Sequence, residues 1–151
     1  MSEKYTSKQA KTAKRIIKYF AKLQSAVFLL SKGKLWNKWS GGFPIMVVET
    51  KGAKTKKIRN IPLIYVHQDG MPILVASIGG MPTNPDWYYN VKANPNLKIS
   101  TIDGTDNYLA EEVAKEKKDE LWPLICSFYP DYATYQSNTE REIPVFLCKK
   151  I

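Results

Sequence analysis

Ile61-Pro62-Leu63-Ile64-Tyr65-Val66-His67-Gln68-Asp69-Gly70-Met71-Pro72-Ile73-Leu74-Val75-Ala76-Ser77 is the stretch whose reading decides the fold class. Ile61–Val66 and Ile73–Ser77 are apolar, β-branched runs. Asp69-Gly70 between them is a two-residue turn signal, because Asp and Gly tolerate the positive φ that a tight hairpin needs. The stretch therefore reads as an antiparallel hairpin. Upstream, Ile45–Glu49 is a further apolar strand. Downstream, Leu97–Thr101, a turn at Asp103-Gly104 and Tyr108–Val113 make a second hairpin, and Ile143–Leu147 closes the chain as a strand. Residues 85–94 read as a short helix. Lys115–Phe128 reads as a longer one, with Leu121, Leu124, Ile125 and Phe128 on one face. Antiparallel hairpins with a few helices argue for an α+β fold built on a small barrel rather than a β-α-β series.

Nothing divides the chain. There is no repeat, low-complexity tract or linker, so residues 1–151 read as a single domain, with a helical segment over 1–32 and the barrel over 40–151. Hydrophobic residues make up 44% of 151 and charged residues 25%, enough to bury a core. The formal net charge of +9 favours anionic partners without choosing among phosphates, nucleic acid, acidic cofactors and membranes. Cys126 and Cys148 have no C-x-x-C spacing and read as free thiols of a reducing cytosol. With His67 the sole histidine, no metal site is expected. The polar start MSEKYTSKQAKTAKR has no apolar signal core, and the longest apolar run, Ala26–Leu30, is too short to span a bilayer. A soluble or peripheral intracellular protein is expected.

Residues 8–31 read as one amphipathic helix with Ser7 as its N-cap. Ile16, Ile17, Phe20, Leu23, Val27 and Leu30 recur at helical spacing, and Lys11, Lys14, Arg15, Lys18 and Lys22 fill much of the rest. A helix packed on the domain with a solvated basic face fits this pattern. So does a helix lying on an anionic membrane surface. Residues 33–44 read as a loop.

Three stretches could carry chemistry. Lys51-Gly52-Ala53-Lys54-Thr55-Lys56-Lys57-Ile58-Arg59 places a glycine, a hydroxyl and several cations in one tight connection. Such a loop can hold a phosphate or carboxylate, or can simply keep a strand edge soluble. In Ala76-Ser77-Ile78-Gly79-Gly80, two glycines follow a strand end and permit close backbone approach to a ligand. Pro85 then starts the short helix, which carries Trp87 and Asn90 on a shared face. The alternative there is a structured loop with a core tryptophan. Tyr129, Tyr132 and Tyr135 recur every three residues, placing their hydroxyls on one side of a helical turn. Such a stripe is either core packing or a polar edge in an apolar pocket. No G-x-G-x-x-G, P-loop or G-x-S-x-G occurs, and Glu111-Glu112 alternate across a strand rather than pairing. If the chain is an enzyme, a cofactor carries the hard chemistry.

Taken in order, the three stretches resemble the deazaflavin (F-420)-dependent nitroreductase family. The residues carrying the likeness are Thr50–Leu63, then Ala76–Gly80 with Pro85–Pro95, and finally Trp122, Tyr129-Pro130, Tyr132, Tyr135-Gln136, Arg141 and Ile143-Pro144-Val145. The resemblance covers the chain from the first core strand to the C-terminus. It implies a split β-barrel of the FMN-binding-like kind, commonly dimeric, and a reductase passing hydride to a quinone, nitro compound or activated alkene. It assigns Lys54, Thr55, Arg59 and Pro62, with Ala76, Ser77, Gly79, Gly80, Trp87 and Asn90, to the cofactor. Ser77, Tyr129, Tyr132 and Tyr135 border the substrate as catalytic candidates. Some members of the family also use the N-terminal helix at membranes, which makes peripheral membrane contact through residues 8–31 a further expectation. Three positions depart: Ala53 stands where the family has an arginine, Ile78 where it has a lysine, and Lys56 where it has a glycine. A lost charge-assisted contact is worth about 1.5–3 kcal/mol when desolvated. FMN as cofactor, and a non-catalytic binder of a hydrophobic anion such as a fatty acid, therefore stay open at this stage. Nucleic-acid binding ranks last, because the lysines read as spread along the chain with no recognised nucleic-acid module.

Overall fold

The structure, a computed structural model, describes residues 6–151; the polar start at Met1–Tyr5 lies outside them. Helix α1 spans Ser7–Leu30. Its N-cap is Thr6 rather than Ser7. Thr6 Oγ1 accepts from the Gln9 amide at 3.2 Å, and Gln9 Oε1 accepts from the Thr6 amide at 2.8 Å. This reciprocal box needs Gln or Glu three residues after the cap, and a cap at Ser7 would put Ala10 there.

Strands β1 (Lys38–Trp39) and β2 (Phe43–Lys51) come next, so the stretch read as a loop contains a short strand. The single run Ile61–Val66 is in fact split. β3 (Ile58–Ile64) pairs only with β2. The Tyr65 amide donates to Pro44 O, and β4 (Val66–Gln68) starts a new ladder with β5 (Met71–Val75). The turn between β4 and β5 is the expected one, with Asp69 and Gly70 at φ of 51° and 79°. Ala76 and Ser77 leave the ladder and lead through a single 3₁₀ turn, Ile78–Gly80, to α2 (Asp86–Ala93). β6 (Asn96–Thr101) and β7 (Gly104–Glu112) pair around Ile102-Asp103. Helices α3 (Lys115–Phe128) and α4 (Asp131–Ser137) precede β8 (Val145–Lys150). Every pairing is antiparallel, in the order β1-β2-β6-β7-β8-β5-β4 with β3 on β2. The sheet curls into a half-barrel.

Strand alternation places a core on each side of the sheet. Met46, Val48, Leu74, Phe146 and Cys148 face inward with Trp87 and Val91 of α2. Ile73, Val75 and Val145 face outward onto Leu121 and Ile125 of α3 and Tyr132 of α4. Ile45 and Val47 meet Phe28 of α1.

Helix α1 is turned against its own pattern. Its buried residues include Gln24 and Ser25, whose Oε1 and Oγ find no hydrogen-bond partner among the described residues. Its apolar residues instead point out: Ile16, Phe20, Leu23 and Leu30 are 65%, 47%, 57% and 88% exposed. Nor are the cations evenly spread. Of 23 Lys and Arg, nine fall within residues 7–48, which contain no Asp or Glu; the rest of the chain carries 14 of each sign. The whole net charge therefore sits on α1 and the segment after it.

Candidate cofactor and substrate site

The six residues Gly52–Lys57 connect β2 to β3 above the Lys51–Ile58 pair. The Gly52 amide donates to Lys57 O at 2.8 Å, the Lys56 amide to Gly52 O at 3.0 Å, and the Lys57 amide to Thr55 Oγ1 at 3.3 Å. A Cβ on Gly52 would sit 2.6 Å from Thr55 Oγ1, so a side chain there would have to turn the Thr55 hydroxyl away from the loop. Lys56 adopts φ of 59°, the left-handed region where the family places a glycine. Lys54, Thr55, Lys56 and Lys57 are exposed and Arg59 is half-buried. None of the five cations of Lys51–Arg59 takes part in an ion pair among the described residues. Five uncompensated cations and a hydroxyl at one end of the sheet fit the anionic tail of a phosphorylated cofactor, even with Ala53 lacking a charge. Pro62 lies half-buried on β3 opposite Val47, below this loop.

Helix α2 ties the second stretch to the first. Asn90 Oδ1 accepts from the Ala53 amide at 3.0 Å. Trp87, on the same helix, is only 8% exposed and packs against Phe146, with centroids 6.1 Å apart. The tryptophan is thus built into the core and offers a ligand little surface.

Ala76 and Ser77 are buried, and the Ser77 hydroxyl makes no side-chain hydrogen bond among the described residues. Ile78, Gly79 and Gly80 follow at φ of 40°, 66° and 76°. For a β-branched residue such as Ile78 this costs on the order of 1–3 kcal/mol, which the surroundings must offset. Those surroundings are specific. A Cβ on Gly80 would lie 2.4 Å from Tyr135 O, whereas one on Gly79 would meet nothing within 4 Å. The Arg141 guanidinium donates to Met81 O, Asn84 Oδ1, Ala76 O and Ser77 O at 2.9, 2.8, 3.2 and 2.9 Å. Burial lowers its pKa from the ordinary arginine range.

The third stretch departs from the expected single turn. Tyr129 ends α3 in extended backbone, at φ −145°, because Pro130 disfavours a helical residue before it. Tyr132 and Tyr135 lie on α4. The three rings still meet, at centroid distances of 4.9 Å for Tyr129–Tyr132 and 6.1 Å for the other two pairs. Tyr129 and Tyr132 are buried and Tyr135 half-buried. Burial, then the hydrogen bond shared with Tyr135, pushes the Tyr129 hydroxyl above its ordinary range; burial does the same to Tyr132.

The first stretch is thus joined to α2 through Asn90, and the second to the third through Gly80 and Arg141. Residue types alone gave no role to Arg141, Asn84 or Lys14, although Lys14 Nζ donates to Asn84 O at 2.9 Å and so pins α1 to the same loop. The available signal was the position of Arg141 three residues before Pro144. A depression of about 490 Å3 beside the base of the first loop, reached through Lys51 and Ile58, contains none of the expected site residues.

Comparison with known proteins places this arrangement. The sequence model of the F-420H(2)-dependent quinone reductases matches residues 20–150. The chain belongs to that family. It is 33% identical over 127 residues to an F-420H(2)-dependent quinone reductase of Mycobacterium tuberculosis (strain ATCC 25618 / H37Rv), covering 82% of this chain and 85% of that one. Among solved structures, an F-420-H2-dependent reductase superposes with a TM-score of 0.66 at 42% identity, over 70% of this chain and 94% of its own. A protein described as a domain-swapped dimer superposes at 0.68 with 34% identity, over 93% and 96%. The haem storage protein HutZ of Vibrio cholerae, at 9% identity and 0.51 over 71% and 81%, shares the fold alone. The half-barrel is accordingly a split β-barrel, and coenzyme F-420 is the cofactor of the family.

Proposed function

We propose that the chain, folded as one domain, binds reduced F-420 and passes its hydride to a quinone, with nitro compounds and activated alkenes as further acceptors. The carrying observation is the pair of links that tie the first stretch to α2 and the second stretch to the third, in a chain that belongs to the family. Bound deazaflavin supplies the hydride; the protein supplies position and charge. Lys54, Thr55 and Arg59 hold the anionic tail, with Pro62 beneath them. Ala76, Ser77, Gly79 and Gly80 form the wall the ring rests on, Asn90 braces the tail loop, and Trp87 supports the wall from the core. The Ser77 hydroxyl and the Tyr129–Tyr135 pair donate hydrogen bonds to the acceptor oxygen as charge develops. Mixing purified protein with reduced F-420 and a water-soluble benzoquinone, and following the return of F-420 fluorescence, tests this. No turnover, or turnover with FMN alone, overturns it.

The apolar stripe of α1 favours a further element of this reading: contact with an anionic membrane surface. Ile16, Phe20, Leu23 and Leu30 point outward, and Phe20 stacks edge-on with Trp36 and Trp39, at centroid distances of 5.1 and 6.1 Å. The segment that carries them, residues 7–48, has nine cations and no carboxylate. A second copy would bring like charges together on this face, whereas anionic lipid neutralises them. No helix among the described residues is long and apolar enough to cross a membrane. Free Cys126 and Cys148 suit a cytoplasmic protein lying on that surface. Flotation with phosphatidylglycerol vesicles but not with phosphatidylcholine vesicles is expected; equal flotation overturns the charge argument. A homodimer, the state described for the 34%-identical neighbour, is the expected assembly, and sedimentation equilibrium tests it.

A further inference from the structure

We propose that Arg141 is a positioning residue that converts the backbone amides of Ser77 and Ile78 into a paired donor site for an electron-rich oxygen. The inference rests on the functional reading above, which places this loop at the reacting partners, and it adds a residue outside the sites assigned there.

The geometry runs through two peptide planes. Arg141 Nη2 is held by Ala76 O at 3.2 Å and Ser77 O at 2.9 Å. No peptide bond among the described residues is cis. In a trans peptide the C=O and the following N–H point in opposite directions. With both carbonyls on the guanidinium, the N–H groups of Ser77 and Ile78 are aimed away from it. Neither amide donates a hydrogen bond among the described residues. Gly79, next along, faces open space.

Two independent features show that this arrangement is imposed rather than relaxed. Ile78 is held at φ 40°, a conformation that persists only where surrounding contacts over-determine it. The other two arms of the guanidinium reach Met81 O and Asn84 Oδ1, so one side chain grips the loop before and after its left-handed turn. All four acceptors are neutral. The charge therefore stands behind two peptide dipoles and strengthens their N–H ends as donors.

Arg141→Lys keeps a cation but lacks the planar fork. If the oxygen belongs to the cofactor, its affinity for F-420, read by fluorescence quenching, weakens about tenfold or more. If it belongs to the quinone, kcat at saturating F-420 falls about a hundredfold with affinity unchanged. Added guanidinium restores the loss in Arg141→Ala. In the ligand-free protein, the amide proton resonances of Ser77 and Ile78 move upfield in Arg141→Lys, because the charge that polarises their peptide units is no longer held on both carbonyls. Should the Arg141 variants fail to fold, Asn84→Ala, which frees one arm, shows the same changes on a smaller scale. Unchanged resonances and unchanged kinetics in a folded variant overturn the proposal. If the unaltered chain binds no F-420, the functional reading falls, and the amide resonances alone then decide the role of Arg141.

Discussion

The hydroxyl oxygens of Tyr129 and Tyr135 lie 3.2 Å apart, and either can donate to the other. The donating member spends its proton on the pair, while the accepting member keeps a free O–H for an outside acceptor. Burial raises the pKa of Tyr129 and Tyr132 above the ordinary tyrosine range. These hydroxyls are hydrogen-bond donors, not bases. Tyr135→Phe is expected to lower kcat for quinone reduction about tenfold while leaving F-420 affinity nearly intact. The pH–rate profile should show no alkaline limb from tyrosine ionisation below about pH 10, the value for a free tyrosine. A limb that appears below that value and vanishes in Tyr129→Phe contradicts this assignment.

Gly79 and Gly80 have similar φ but different neighbours, so alanine separates strain from clash. Gly79→Ala meets only the left-handed penalty, about 1–2 kcal/mol. Gly80→Ala meets the same penalty and drives a methyl to 2.4 Å from Tyr135 O. Denaturant midpoints should fall for both and clearly further for Gly80→Ala. Only Gly80→Ala should also perturb ligand effects that depend on Tyr135. Equal midpoints would remove the claimed contact between loop and α4.

Gln136 holds three elements at once. Its Oε1 accepts from Lys118 Nζ at 2.7 Å and from the Ile143 amide at 3.0 Å, and its Nε2 donates to Arg141 O at 2.8 Å. Lys118 Nζ also reaches Glu142 Oε2 at 2.8 Å and stands 4.8 Å over the Trp122 ring. Gln136→Leu orphans the buried Ile143 amide and leaves the buried Lys118 ammonium with Glu142 as its one remaining hydrogen-bond partner, and should cost about 2–4 kcal/mol. Lys118→Met leaves only the largely exposed Glu142 without this partner and keeps its apolar stem, so about 1–2 kcal/mol is expected. Thermal or urea unfolding ranks the two; the reverse order refutes the account.

Burial pushes the Cys148 thiol up to about 12. A thiol raised in the folded state stays protonated there while the unfolded chain ionises. Its contribution is complete below the unfolded value near 9 and is lost as pH climbs toward the folded value. Stability should decline from pH 9 upward by at most about 1.4 kcal/mol per pH unit for this group. Cys126, raised mainly by burial, adds in the same direction. Tyr129 and Tyr132 join above pH 10. Urea midpoints between pH 8 and 11 report the slope, and Cys148→Ala should flatten it between pH 9 and 10.

Elements governed by local chemistry were readable in the sequence. Asp69-Gly70 specifies its turn by φ alone, and α3 spans the expected Lys115–Phe128 because its pattern and flanks agree. The break at Tyr65 was hidden, since Ile61–Val66 is uniformly apolar and only the change of partner, from β2 up to Tyr65 to β5 from Val66, splits it. The outward face of α1 was hidden for a similar reason. Periodicity finds a stripe but not its direction, and here Gln24 and Ser25 take the inner side. Of the site, the residue types were legible in three stretches. The grip of Arg141 on a loop 57 to 65 residues away was not, because no local pattern encodes such a distance.

The separation of charge described above gives the molecule a direction in space. Residues 7–48 carry nine positive charges and the rest of the sequence sums to zero, so α1 with the segment after it is a positive pole of the protein. In a field falling away from an anionic surface, such a body feels a torque as well as a pull. It turns before it touches, within about one Debye length, near 8–10 Å at physiological salt. Lys14, within that pole, is bonded to the loop that carries Ser77. The orientation taken on approach thus also fixes which way that loop looks.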